Sequence, residues 1–183
     1  MIKEIEDARL KYKPKKIKFL LVAEAPPKVE SKRFFYFEDI SDGDSLFLET
    51  MKVLYPAEYL STSDVRLNKK KFLEKFRDDG FYLLDASDEP MHDNTPYRKQ
   101  KQIEKALPTL RKKIWQLISP ETNIILISAT VYNTVYRKLK EEGFNLINEE
   151  MIEFPGSGGQ KRFRVKLSRL LNDHGFRISF EEV

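Results

Sequence analysis

The sequence predicts an α/β chain, a three-layer α/β/α sandwich around a short, mainly parallel, four-stranded central sheet. Two observations carry this expectation. Short apolar runs alternate with stretches whose apolar residues recur at helical spacing. Each run is apolar nearly throughout, as in strands of a parallel sheet covered on both faces. The length agrees: 183 residues suit a single domain over 1–183, with an N-terminal arm or helix at 1–16 and the α/β domain at 17–180.

The elements follow in order. Residues 17–23 form a basic-flanked apolar run ending at Pro26-Pro27 and read as the first strand. Residues 45–54 carry apolar side chains at 46, 47, 51 and 54, a helical stripe with Asp44 at the N-cap position. Residues 68–79 repeat that spacing with Phe72, Leu73 and Phe76, and Gly80 stops the helix. The second strand is 81–85, ending in Asp85. A helix follows over 99–118, with a break or bend expected near Pro108. Residues 123–128 are the third strand, 130–142 a helix stopped by Gly143, and 150–154 the fourth strand. The last helix, 160–173, has Phe163, Leu167, Leu170 and Leu171 on one stripe, and 176–180 read as a terminal strand or a docked tail.

Composition excludes several chemistries. With no cysteine, disulfides, thiolate zinc sites, iron–sulfur clusters and a cysteine nucleophile are ruled out. Two histidines, His92 and His174, exclude a histidine-rich metal site. No apolar run approaches the ~20 residues of a membrane span. The charged, amphipathic start is no signal peptide, so the cytoplasm is the expected compartment. Charged residues make up 34% and the net charge is +4, so distribution matters more than the sum. Basic residues gather at 9–18, 66–77, 98–113 and 161–169, and acidic ones at 38–49 and 85–93. Each cluster reads as a solvated face. Several sharing one face would read as a polyanion surface.

In such sheets ligands bind beyond the carboxyl ends of the strands. After the first strand, Glu24 stands before two stiffening prolines, as a fixed acid, or else as an N-cap or a salt-bridge partner of a nearby Lys. The run Phe34-Phe35-Tyr36-Phe37 is too long for every ring to face one core. It reads either as a platform for a base or as a plug under a long loop. Asp85, Asp88, Glu89, His92 and Asp93 follow the second strand, as a Mg²⁺ site or as turn formers. Gly156-Ser157-Gly158-Gly159, followed by Lys161 and Arg162, precedes the last helix. It reads as a phosphate cradle or as a flexible connection, and it is no Walker A loop.

Taken together, these strand ends resemble the uracil-DNA glycosylase superfamily over residues 17–172. Ala23-Glu24-Ala25-Pro26-Pro27 resembles its Gly-Glu-Ala-Pro-Gly motif, as found in its iron–sulfur members. Residues 81–85 resemble the strand that ends in a base-reading Asn, and 124–129 the third strand with its small-residue turn. Phe154-Pro155-Gly156-Ser157 resembles the His-Pro-Ser loop. The chain departs from the family in having no cluster cysteines, Phe154 for the histidine and Asp85 for the asparagine. The loss of that histidine removes a stabiliser of the leaving base. An ionised Asp85 only accepts hydrogen bonds, which favours a base edge that donates over uracil.

The resemblance implies a divergent glycosylase-like protein that hydrolyses the N-glycosidic bond of a damaged or non-standard base in DNA, with no cofactor or metal. Glu24 and Asp85 would be catalytic. Ala25, Pro26, Phe35, Tyr36 and Phe154 would hold the base, and Gly156, Ser157, Gly158, Gly159, Lys161 and Arg162 the phosphates. The partner would be DNA or another nucleic acid, with no membrane. A non-catalytic nucleic-acid or nucleotide binder on the same fold is the alternative. A metal-dependent phosphoester hydrolase using Glu24, Asp85 and Asp88 is the third.

Overall fold

The structure, a computed structural model, describes residues 2–28, 31–40, 42–156 and 158–178. Three of the apolar runs pair as a parallel sheet ordered β2-β1-β3, with β1 at Phe19–Ala23, β2 at Phe81–Asp85 and β3 at Asn123–Leu126. In register, Phe19 lies opposite Phe81 and Asn123, and Ala23 lies opposite Asp85. Every residue of β1 and β2 is buried, which is why these segments do not alternate.

Seven α-helices surround the sheet among the described residues: α1 (Ile2–Lys11), α2 (Ser45–Leu54), α3 (Thr62–Leu67), α4 (Lys69–Asp78), α5 (Pro96–Leu117), α6 (Ala129–Glu141) and α7 (Gln160–Asp173). The crossover from β1 to β2 runs through α2–α4. That from β2 to β3 runs through α5, in the opposite direction across the sheet. Right-handed crossovers in opposite directions lie on opposite faces. Accordingly α2 packs on α7, and α5 packs on α6.

The expected fourth strand is not a strand. Beyond β3 the chain makes two isolated parallel bridges, Ile124 with Leu146 and Ile127 with Ile152. The cause lies between them. The buried side-chain amide of Asn148 accepts from the Leu126 N–H and donates to the Leu126 carbonyl, both at 3.0 Å. A side chain thus makes the pair of bonds that a strand backbone would make, and the main chain is held one side-chain length away. The edge of β3 is satisfied without a ladder.

Other differences are local. Helix α5 runs through Pro108 without a break. Pro108 is exposed, so the carbonyl it leaves unbonded one turn earlier can take water. A 3-10 turn at Pro56–Glu58 and the short α3, N-capped by Ser61, fill a stretch without a predicted element. Residues 176–178 form no strand; Phe176 docks edge-on against Phe81, with ring centroids 4.9 Å apart. Residues 179–180 lie outside the described residues.

Replacing Asn148 with Ala strands the N–H and carbonyl of Leu126 on a buried edge. The expected loss is about 1–3 kcal/mol, read as a lower urea midpoint with an unchanged m-value.

Candidate functional site

The pleat of β1 and β2 sorts the strand-end residues onto two faces. Ala23 and Ala25 point to one side, with Leu83 and Asp85 beside them, and all four line a cavity of about 250 Å³. Phe34, Phe35, Asp44, Phe47 and Phe154 complete much of its wall. Glu24, between the two alanines, is absent from that wall. Its carboxylate pairs with Lys99 of α5 at 3.0 Å.

Asp85 is buried where the strand meets the cavity. Its Oδ2 accepts from Nη2 of Arg9 at 2.6 Å, and both side chains are 4% exposed. Arg9 comes from α1 and also pairs with Glu6. Its guanidinium lies over the Phe34 ring, 5.3 Å from the centroid. Burial pushes the Asp85 carboxyl up, to about 6, against the pull of Arg9.

A second buried carboxylate stands on the cavity wall. Asp44 occupies the N-cap position of α2, but its side chain makes no capping bond. Instead Oδ1 accepts from Nε and Nη2 of Arg66, at 3.1 and 2.6 Å. Lys69 Nζ lies 3.9 Å from Oδ2, and both atoms are buried without a hydrogen-bond partner. Lys69 Nζ sits 4.2 Å from the centroid of Phe47. Burial pushes the Lys69 ammonium down, to about 7, although Asp44 opposes this.

The aromatic run is mainly a plug. Phe34, Phe35 and Tyr36 are all buried in the same core, and Phe37 packs against it partly buried. The loop turns at 35–36, so Phe35 reaches Phe47 and Phe76 while Tyr36 reaches Tyr12 and Tyr82. The Tyr36 hydroxyl accepts from the Leu83 N–H at 2.6 Å. It therefore closes the free edge of β2 and does not line the cavity. Pro26 is buried and also lies off the wall. Of the residues expected to hold a base, Ala25, Phe35 and Phe154 converge on the cavity with Asp85.

The glycine loop is folded against itself. The Gly159 N–H donates to Gly156 O at 2.8 Å. A Cβ at Gly159 would stand 2.5 Å from the carbonyl oxygen of Phe154, so this position needs glycine for close approach. Gly158 has φ +85. Ser157 lies outside the described residues. Lys161 and Arg162 are exposed at the start of α7, and Arg162 pairs with Glu153 at 3.2 Å.

The acids after β2 are dispersed. Asp88 pairs with Lys113, Glu89 meets His92 at 3.1 Å, and Asp93 accepts from the Thr95 N–H at 2.7 Å. Among the described residues no group of three or more His, Cys, Asp or Glu is placed to hold a metal ion. The Glu24, Asp85 and Asp88 set of a metal hydrolase is instead divided among Lys99, Arg9 and Lys113.

Arg9 and Lys69 are, like Asp44 and Arg66, site residues not foreseen in the sequence, and both leave a signal in it. Arg9 follows Ile5 and precedes Tyr12, so it holds a position on the apolar stripe of α1. Lys69 stands in the same relation to Phe72, Leu73 and Phe76 on α4. A cation on an apolar stripe asks for a buried anion.

No family model, curated protein or solved structure matches this chain.

Two measurements test these buried charges. Arg9→Met leaves Asp85 buried and unpaired, at an expected cost of about 3–5 kcal/mol at about pH 8. Without its cation Asp85 takes up a proton more readily, so the cost shrinks at about pH 5, as urea titrations at both pH values should show. Lys69 has its folded pKa lowered to about 7 from the ordinary 10.5. Between those values the unfolded chain binds more protons, so this group makes stability rise with pH. Lys69→Met should flatten that rise in melts across the same window.

Proposed function

We propose that the protein holds one unstacked nucleobase in the strand-end cavity, as a divergent protein of the uracil-DNA glycosylase type. The observation that carries the reading is the composition of the cavity lining: Phe34, Phe35 and Phe154 together with Asp85, at the carboxyl ends of β1 and β2. The volume of about 250 Å³ suits a single base, below the range of sites for drug-sized ligands. Aromatic side chains supply sequence-tolerant stacking worth about 1–3 kcal/mol per base. Asp85 spends Oδ2 on Arg9. Its carboxylate still accepts from a base edge that carries an amino group.

Base extrusion costs a few kcal/mol, least for a damaged or unpaired base. Hydrolysis would then add water to the sugar carbon as the base leaves with the bonding electrons. The resemblance assigns the acid that orients this water to Glu24. The pairing of Glu24 with Lys99, off the cavity wall, favours the second reading, in which the base is bound and not released.

The test uses oligonucleotides that carry a bulged adenine, or an abasic site at the same position. Wild type should prefer the bulged base by roughly tenfold, about 1.4 kcal/mol. Ala25→Phe, which fills the cavity, should erase that preference while the fold survives. Equal affinity of wild type for both oligonucleotides would overturn base binding. Alkaline cleavage of the products, across a panel with uracil, hypoxanthine, xanthine and alkylated bases, reports release. Release that Glu24→Ala abolishes would establish hydrolysis; binding without release would establish the second reading.

A further inference from the structure

The amino ends of the same strands carry a different surface. Lys11, Lys13, Lys15, Lys16, Lys18 and Arg77 line a groove of about 550 Å³, with Asp78 the one carboxylate among its lining residues. Two of the basic clusters, 9–18 and 66–77, meet here. The groove is fixed to the sheet. The Lys18 N–H donates to Gly80 O at 2.8 Å, and these residues immediately precede β1 and β2. Gly80 has φ +88, and the Lys18 stem passes 2.8 Å from where a Cβ would stand. Between the lysines, Pro14 and Ile17 are buried, while Lys13, Lys15 and Lys18 are exposed. The apolar anchors thus turn the cations outward.

Internal pairing does not use up this charge. Lys11 pairs with Glu38, Lys16 with Glu121 and Arg77 with Asp78. Lys13, Lys15 and Lys18 have no ion-pair partner among the described residues. The lining holds six cations against one carboxylate, an excess greater than the +4 of the whole chain.

The chemistry of the lining selects the partner. Lysine ammonium groups act as point charges and do not impose the planar fork of arginine. No aromatic ring lines the groove, so a base has nothing to stack on. Pro14 is its only apolar side chain and is buried, so nothing inserts into a bilayer as an interfacial segment does. A row of mobile positive charges suits a chain of phosphates contacted without regard to sequence.

We propose that this groove is a sequence-independent contact surface for the phosphodiester backbone of a nucleic acid. It is separate from the cavity. The five residues of β1 set the two apart by about 16 Å of strand. The groove does not depend on what the cavity holds.

The experiment is fluorescence anisotropy with a labelled, unmodified duplex of roughly 20 base pairs, titrated across KCl concentrations. Lys13→Glu/Lys15→Glu should weaken binding at least tenfold at about 100 mM KCl. It should also make the slope of log K against log [KCl] shallower by about 1.8, for two lost phosphate contacts. Lys13→Arg/Lys15→Arg should keep both affinity and slope, which a structural role for these lysines would not require. The unmodified duplex offers no bulged base to the cavity, so its binding reports the groove apart from the base-binding reading. Three results would overturn the proposal: no duplex binding by wild type, an unchanged affinity and slope in the Glu variant, or binding to phosphatidylserine vesicles without binding to the duplex.

Discussion

The buried pair of Arg9 and Asp85 is the constraint on which the strand-end architecture depends. A lone carboxylate at that depth would carry several kcal/mol of desolvation, and a buried charge persists only when it is paired. The partner is supplied 76 positions away in sequence, by α1. That helix lies before the sheet in the chain, yet its Ile5, like Tyr12 just beyond its end, belongs to the core. Tyr12 stacks on Tyr36, centroids 6.1 Å apart and planes 9° apart. Tyr36 in turn closes the edge of β2 through Leu83. The salt bridge, the docking of α1, the aromatic plug and the integrity of the sheet edge therefore form one connected unit.

The cavity inherits its electrostatics from this arrangement and from its counterpart at Asp44. Both carboxylates on its wall are tied to cations from other elements: Asp85 to Arg9 of α1, and Asp44 to Arg66 of α3 with Lys69 of α4 close by. Cations tied to the wall carboxylates let acceptors face a small apolar space without leaving net charge buried there. Asp44 Oδ2 and Lys69 Nζ nevertheless lack hydrogen-bond partners. Arg9 Nε is likewise buried without a partner, so neither pair is fully satisfied.

Much of the fold is legible because parallel strands and amphipathic helices write strong local signals. The runs that became β1, β2 and β3 are apolar nearly throughout, and the stripes of α2, α4, α6 and α7 keep helical spacing. What the sequence concealed is where side chains replace backbone. The segment at 150–154 has a strand's composition, but Asn148 pairs with Leu126 first and holds the chain off the edge. The site follows the same division. Ala25, Phe35, Asp85 and Phe154, all expected near the carboxyl ends of strands, line one cavity. The departure of Glu24 was concealed in the pleat, since neighbours of a residue on one face necessarily send it to the other. Arg9 and Lys69 were concealed because pairing between distant elements is a tertiary fact, although a cation on an apolar stripe marks that such a pair must exist.

The charge clusters illustrate why composition along the chain misleads without geometry. Residues 9–18 and 66–77 look like uniform basic stretches, yet the fold divides each of them. Arg9, Arg66 and Lys69 turn inward as counterions for buried carboxylates, and they are spent on stability. Lys13, Lys15 and Lys18 turn toward the amino ends of the strands, where no ion-pair partner among the described residues opposes them. A parallel sheet makes this separation systematic, because all carboxyl ends lie together and all amino ends lie opposite. One end receives compensated, buried charge around a small cavity, and the other receives uncompensated, solvated charge along a groove. Any polyanion contact made by the uncompensated set is therefore salt-sensitive, whereas the buried pairs that shape the cavity are shielded from the same ions. Ionic strength is thus the variable that separates the two ends of this sheet, with little effect on the fold that joins them.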